Sequence, residues 1–235
     1  MKLTVFGLGY LGTVHAACMA QAGFPVLGVD TDAGRVASLR AARPGIHEPG
    51  LNDMLRRVLA NGRLAFTTSY ADAAEFADVH FICVGTPRRQ DGPAGAGLGH
   101  LERCLATLAP LLTQDSLVIG KPTVPAGTGT ATRLAERCQP AELAWNPGFL
   151  REGHAVADTV APDRIVAGVR SPRAEKILRE VYAVQIDASV PFVVTDLATA
   201  AGQAHLALGR PDPEPSPIQR SMRASNSSVS TGLVT

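Results

Sequence analysis

The sequence predicts an α/β fold, a doubly wound and mainly parallel sheet with helices on both faces. Three observations predict it. Short β-rich runs alternate with helical patterns along the 235 residues, the alternation that builds a parallel sheet. Several strand runs are continuously apolar, as happens when helices cover both sheet faces. The first strand run also passes directly through Gly7-Leu8-Gly9-Tyr10-Leu11-Gly12 into a helical pattern.

Taken in order, the strands are predicted at Leu3–Phe6, Val26–Asp30, Leu64–Thr67, Val79–Val84, Ser116–Gly120, Glu142–Trp145, Arg164–Gly168 and Phe192–Thr195. The glycine turn opens a helix over Tyr10–Ala22. Leu51, Met54, Leu55, Val58 and Leu59 recur at the spacing of one helix face, and Asn61-Gly62 stops that helix. Leu101, Cys104, Leu105, Leu108 and Leu112 make a similar stripe. Ser171-Pro172 supplies a cap and a first-turn proline ahead of Ile177, Leu178 and Val181. Gly92–Gly99 reads as a flexible loop, and Trp145–Gly168 is too irregular for a helix and too polar for a buried strand.

The composition changes near Ala200. The remaining stretch has four prolines, many serines, no aromatic residue and no sustained periodicity. It cannot bury enough apolar surface to offset ordering costs of roughly 1–2 kcal/mol per residue. The expected organisation is therefore one domain over residues 1–199 and a disordered tail over 200–235.

Charge and cysteine usage narrow the function. A net charge of +1 leaves no footprint for nucleic acid or an acidic membrane surface. No apolar run reaches the ~18 residues of a membrane span, and MKLTVFGLGY starts a strand, not a signal peptide. Cys18, Cys83, Cys104 and Cys138 lie far apart in apolar runs, without a CxxC pair. They read as reduced core thiols of a cytoplasmic protein, and no metal site is expected.

The glycine turn carries the first chemistry. Gly7 permits the tight turn, Gly9 lets the backbone approach a pyrophosphate, and Gly12 lets helix pack on strand. The free N–H groups of the helix start then face the phosphates. Asp30 ends the second strand where a carboxylate meets the adenosine ribose hydroxyls, so NAD is favoured over NADP. Asp30 could instead cap the helix after it, although Thr31 and Asp32 would serve equally well. Val84-Gly85-Thr86-Pro87 and Lys121–Thr128 lie at the carboxyl ends of the fourth and fifth strands, where open α/β sheets bind ligands. Alone each is a plain turn; together with Asn146–Gly153 after the sixth strand they share one rim.

With those motifs in place, the chain resembles the N-terminal part of the nucleotide-sugar 6-dehydrogenases, most nearly the UDP-glucose 6-dehydrogenases. The GDP-mannose and UDP-N-acetylmannosamine dehydrogenases are their siblings. The resemblance spans residues 1 to about 199 through GLGYLG, VD with Arg35 shortly after, HEPGL (His47–Leu51), VGTP, KPTVPAGT, NPGFLREG and PDRIVAG. It implies a Rossmann-like NAD-binding domain of an enzyme that oxidises a sugar C6 alcohol twice. UDP-glucose, two NAD and water would give UDP-glucuronate and two NADH, with a cysteine holding the intermediate. By resemblance, Gly7, Gly9, Gly12, Asp30, Arg35 and Thr86 match cofactor-contacting positions. Thr123 matches a threonine that orients catalytic water, and Glu152 a glutamate near the substrate. Phe149, Leu150 and Arg151 match the strip that lies along the nucleotide sugar. Read on their own, Glu152 is equally a solvated loop acid and Thr123 a strand-end hydroxyl bonding the backbone.

The pattern breaks in places. Gly148 stands where the family has the glutamate of Asn-Pro-Glu-Phe-Leu, and Pro122 replaces a serine. The family's central helix with its lysine and asparagine, its Gly-Gly-x-Cys motif and its second nucleotide-binding domain have no counterpart in these 235 residues. A shifted reading frame or truncated gene would give such a tail. Two functions follow: a nucleotide-sugar dehydrogenase by ancestry, or a non-catalytic NAD-binding remnant of one, inactive alone. A 6-phosphogluconate or hydroxyacyl-CoA type dehydrogenase is disfavoured, because those families lack the TVPxGT and NPxFLREG strips together. The hexose and the oligomeric state are left open.

Overall fold

A computed structural model describes residues 1–86, 97–124 and 128–202. Residues 203–235 of the expected tail, residues 92–96 of the glycine loop, Pro87, and Pro125–Gly127 of the KPTVPAGT strip lie outside the described residues. The eight expected strands form one sheet: β1 (Leu3–Phe6), β2 (Val26–Val29), β3 (Leu64–Thr67), β4 (Val79–Ile82), β5 (Leu117–Gly120), β6 (Glu142–Trp145), β7 (Ile165–Gly168) and β8 (Phe192–Thr195). Their order is β3-β2-β1-β4-β5-β6-β7-β8, so the chain winds outward twice from β1 and β4. All neighbours are parallel except β6 and β7, which meet antiparallel at Trp145 and Gly168.

The helices are α1 (Tyr10–Gln21), α2 (Ala33–Arg40), α3 (Leu51–Ala60), α4 (Tyr70–Phe76), α5 (Gly99–Leu108), α6 (Thr128–Arg137), α7 (Ala155–Val160), α8 (Pro172–Val181), α9 (Ala183–Asp187) and α10 (Leu197–Gly202). Strand side chains alternate between two cores. Leu3, Val5, Val79, Phe81, Leu117 and Ile119 pack with α1, α3 and α8 on one face. Phe6, Ile82, Val118, Leu143 and Trp145 pack with α5, α6 and α10 on the other. Burial on both faces explains why the strands read as continuous apolar runs.

Two expectations change. The Trp145–Gly168 stretch is not irregular throughout: Ala155–Val160 forms the short helix α7, whose Ala155 and Val156 are buried. Its six residues are too few to show a periodicity. The boundary placed at residue 200 falls inside α10, where Ala200 and Ala201 are buried against β6 and β7, so the packed chain runs on to Gly202. A hypothetical Cβ at Gly168 would lie 2.5 Å from the Ala200 Cβ, which shows how closely α10 sits on the sheet.

Candidate functional site

The glycine turn is built by three different constraints. Gly7 has φ +87°, and a Cβ there would lie 2.8 Å from the Val84 backbone nitrogen, so β1 can turn tightly against the end of β4. At Gly12 a Cβ would fall 1.8 Å from the Gly7 carbonyl oxygen, which only glycine avoids. Gly9 is the N-cap of α1 and provides no side-chain cap, and a Cβ there would meet nothing within 4 Å. The N–H groups of Tyr10, Leu11 and Gly12 have no acceptor among the described residues, and the space beside Gly9 is open, the arrangement that suits a pyrophosphate.

Asp30 closes the other side of this turn. Its carboxylate is 7% exposed and accepts from the Leu8 N–H at 2.7 Å and from the Asp32 N–H at 3.0 Å. The Arg35 guanidinium pairs with it at 3.0 Å. The cap of α2 is Asp32, which accepts from the Arg35 N–H, so the capping alternative for Asp30 falls away. Asp30 instead braces the glycine turn at the carboxyl end of β2, with Arg35 beside it.

Thr86 and Thr123 are brought together at the ends of β4 and β5. The Thr86 hydroxyl donates to the Thr123 carbonyl at 2.9 Å, tying the two rim turns. The Thr123 hydroxyl itself makes no hydrogen bond among the described residues, so the backbone-bonding alternative is not seen there.

The strip after β6 is pinned at both ends. Asn146 and Lys121 are buried, and the Lys121 ammonium donates to the Asn146 side-chain oxygen at 2.8 Å. The Tyr182 hydroxyl donates to the same oxygen at 2.5 Å, and the Asn146 amide donates to the Val166 carbonyl at 2.9 Å. Burial lowers the Lys121 pKa from 10.5 to about 8, with no carboxylate partner among the described residues to oppose it. At the far end the buried Glu48, on the His47–Leu51 turn, accepts from the Gly153 N–H at 2.6 Å and from the Ala155 N–H at 3.0 Å.

Between the pins the expected substrate residues divide. Phe149 packs against one core with the Arg164 guanidinium 5.8 Å above its ring, while Leu150 packs against the other core. Arg151 is half exposed and pairs with Asp158 at 2.8 Å. Glu152 is exposed on the same strip, and its charge adds a little to the rise in the Tyr10 pKa that burial and Glu48 chiefly cause. The sequence reading named none of Glu48, Asn146, Lys121 or Tyr182 as a site residue. Glu48, Lys121 and Asn146 lie in the HEPGL, KPTVPAGT and NPGFLREG motifs, but their partners are far away in sequence.

All four cysteines are buried free thiols. Burial pushes Cys18, Cys83 and Cys138 up to about 12 and Cys104 up to about 11. A thiol held protonated and enclosed is a poor nucleophile. No group of three metal-ligating side chains forms, and no helix is long and apolar enough to cross a membrane, among the described residues.

Comparison with known proteins matches residues 1–186 to a family model described as the UDP-glucose/GDP-mannose dehydrogenase family, NAD binding domain. A UDP-glucose 6-dehydrogenase of Rhizobium meliloti is 38% identical over 219 residues, covering 88% of this chain and 50% of that protein. The solved UDP-glucose dehydrogenase of the archaeon Pyrobaculum islandicum superposes with a TM-score of 0.76 at 39% identity, covering 85% of this chain and 47% of the other. A GDP-mannose dehydrogenase of Pseudomonas aeruginosa, solved as a ternary complex, gives a TM-score of 0.77 at 26% identity, covering 97% and 50%. The chain thus spans about half the length of the relatives it matches.

Proposed function

Since the chain belongs to the UDP-glucose/GDP-mannose dehydrogenase family, whose NAD-binding domain it carries, we propose that it is the dinucleotide half of a nucleotide-sugar 6-dehydrogenase acting on UDP-glucose. The observation that carries the proposal is the pairing of an open α1 N-terminus at Gly9 with the Asp30 carboxylate braced beside it. In this reading the α1 N–H groups hold the pyrophosphate and Asp30 accepts from the adenosine ribose. Arg35 and Thr86 complete the cofactor contacts. Bound NAD supplies the hydride acceptor for oxidation of the sugar C6 alcohol. Phe149, Leu150 and Arg151 shape the sugar side of the cleft, and Thr123 and Glu152 position water. The substrate is a soluble metabolite, and a cytoplasmic location fits it.

A second reading is favoured by two specific observations. The four buried thiols offer no nucleophile for a covalent intermediate, and Gly148 offers no proton carrier where the family pattern has a glutamate. These 235 residues by themselves therefore bind NAD without turning over UDP-glucose. The test is a fluorescence titration with NADH and NADPH, followed by UDP-glucose addition with a full-length family enzyme as control. NADH bound more tightly than NADPH, without NADH production, is the expected result. NADH production within a few orders of magnitude of the control overturns the second reading, and equal or tighter NADPH binding overturns the role of Asp30.

A further inference from the structure

Glu48 makes an arrangement that the proposed chemistry does not use. It is 5% exposed, and among the described residues no cation pairs with it. A buried carboxylate in that position is tolerated only when its oxygens are hydrogen-bonded. One oxygen accepts from the Tyr10 hydroxyl and from the Gly153 N–H, and the other from the Ala155 N–H. Gly153 has φ +78°, a conformation that few other residues adopt there. The three donors come from two places. Tyr10 is the first residue of α1, next to the open glycine turn, while Gly153 and Ala155 end the strip that carries Arg151 and Glu152.

The Tyr10 hydroxyl also reaches the Arg151 carbonyl at 3.3 Å, so one phenol touches both the strip and its anchor. Burial first, and the hydrogen bond to Glu48 second, push that hydroxyl well above the usual phenol range, which keeps it a donor. The result is a continuous chain of contacts from the α1 N-terminus through Tyr10 and Glu48 to the backbone on both sides of Glu152. A purely local cap of α7 would need the Ala155 contact alone.

We propose that Glu48 is a positioning residue that, through Tyr10, couples dinucleotide occupancy of the glycine turn to the order of the Arg151–Ala155 segment. The inference rests on reading the α1 N-terminus as the pyrophosphate site and residues 149–152 as the sugar side. A dinucleotide that fixes the backbone of residues 9–11 also fixes the base of the Tyr10 side chain. The hydroxyl then holds Glu48, and Glu48 holds the Gly153 and Ala155 amides. The cofactor in this way pre-orders the segment that presents Glu152. Linkage makes the effect reciprocal, so ordering the segment tightens the cofactor by the same factor.

The test is amide hydrogen exchange at Gly153 and Ala155 in the 235-residue chain, with and without saturating NAD, for the native chain, Tyr10→Phe and Glu48→Gln. NAD affinity is titrated in parallel. In the native chain NAD slows exchange at both amides by at least about fivefold, the low end of typical site-to-site coupling. Tyr10→Phe removes one hydroxyl from a half-exposed side chain and leaves Glu48 on both amides. That variant keeps the cofactor-free protection and still binds NAD, but loses the further slowing. Glu48→Gln speeds exchange at both amides even without NAD, while core amides such as Val5 and Phe81 keep their protection. Retention of the NAD effect in Tyr10→Phe, or bound NAD with no slowing in the native chain, overturns the coupling. Failure of the native chain to bind NAD overturns the coupling along with the cofactor reading, and the titration identifies that case.

Discussion

Asp30→Asn is the most informative single substitution in the cofactor site. The change keeps the shape of the side chain and removes its charge. In the native chain one carboxylate oxygen takes both the Leu8 N–H and the Arg35 guanidinium, and the other takes the Asp32 N–H. An asparagine offers one acceptor oxygen, and its amide group must turn toward donors. One backbone N–H is then left unsatisfied, a cost of about 1–3 kcal/mol to the fold. The ion pair adds little to this, because Arg35 is 44% exposed and regains water.

In the proposed reading, the cofactor loses a charged acceptor for its ribose. Hydrogen bonds to charged groups contribute about 1.5–3 kcal/mol, so NADH binding should weaken roughly 10–150-fold. NADPH should respond in the opposite sense. Two unit charges about 5 Å apart repel by roughly 3 kcal/mol at an effective dielectric of about 20, and Arg35 offsets part of that. Removing the carboxylate lifts this repulsion and leaves Arg35 to meet the 2′-phosphate, so NADPH holds its affinity or gains. Fluorescence titration of both cofactors measures the ratio, and urea unfolding separates the stability loss from the binding loss. A preference for NADH that survives unchanged in the asparagine variant would refute the reasoning.

Two further substitutions test the geometry from other directions. Gly12→Ala places a Cβ against the Gly7 carbonyl, so the turn must break; NADH binding should vanish and urea unfolding should show a loss of at least about 1–3 kcal/mol. Gly9→Ala points into open space, so stability should stay within about 0.5 kcal/mol while NADH binding falls; equal stability losses for the two variants would contradict the site. Lys121→Met tests the buried ammonium by pH. Because the folded lysine titrates near 8 instead of 10.5, the unfolded chain holds more protons between those values, and the site's contribution to stability rises with pH across that window. The buried thiols work in reverse above pH 9, so the difference between the two proteins isolates the lysine. The stability advantage of the methionine chain over the native chain should shrink by about 3 kcal/mol from pH 7 to 10.5; a difference constant with pH counts against the assignment.

The fold was legible because its signals are local. Leu3–Phe6, Leu64–Thr67, Glu142–Trp145 and Phe192–Thr195 have the bounds their apolar runs predict, and for the other four strands the predicted run exceeds the strand by one or two residues. Two of those overruns fall where the ligand rim begins. Asp30 and Cys83 each still donate an N–H to the neighbouring strand, but as the chain leaves the sheet toward the site. Within the candidate site, the glycine turn and Asp30 stand out in the sequence because they follow strands at the spacing of a dinucleotide-binding pattern. The pins do not. Lys121 meets Tyr182 across 61 residues and Glu48 meets Gly153 across 105, and no periodicity reports on such a pair. The buried His15 and His80 give a similar lesson. They sit in apolar runs whose burial lowers their pKa values, His80 to about 4, and sequence pattern alone does not distinguish a neutral core histidine from a site residue.

Gly148 was legible only as a departure from a pattern, and its surroundings give the departure a second meaning. A side chain at 148 would start 3.0 Å from a Leu11 methyl and 3.6 Å from the Lys121 Cε. Anything longer would start between Leu11 and the lysine stem. The glutamate of the family pattern would therefore bring a carboxylate close to a buried ammonium whose present partners are the neutral Asn146 and Tyr182. An anion there would raise the proton affinity of Lys121, opposing the burial that now lowers it. Glycine offers neither a proton carrier at position 148 nor a counter-charge to the Lys121 ammonium. The strip is held without either, by Lys121, Asn146 and Tyr182 at one end and by Glu48 at the other. Two anchors thus fix a segment that carries no acid-base side chain at position 148.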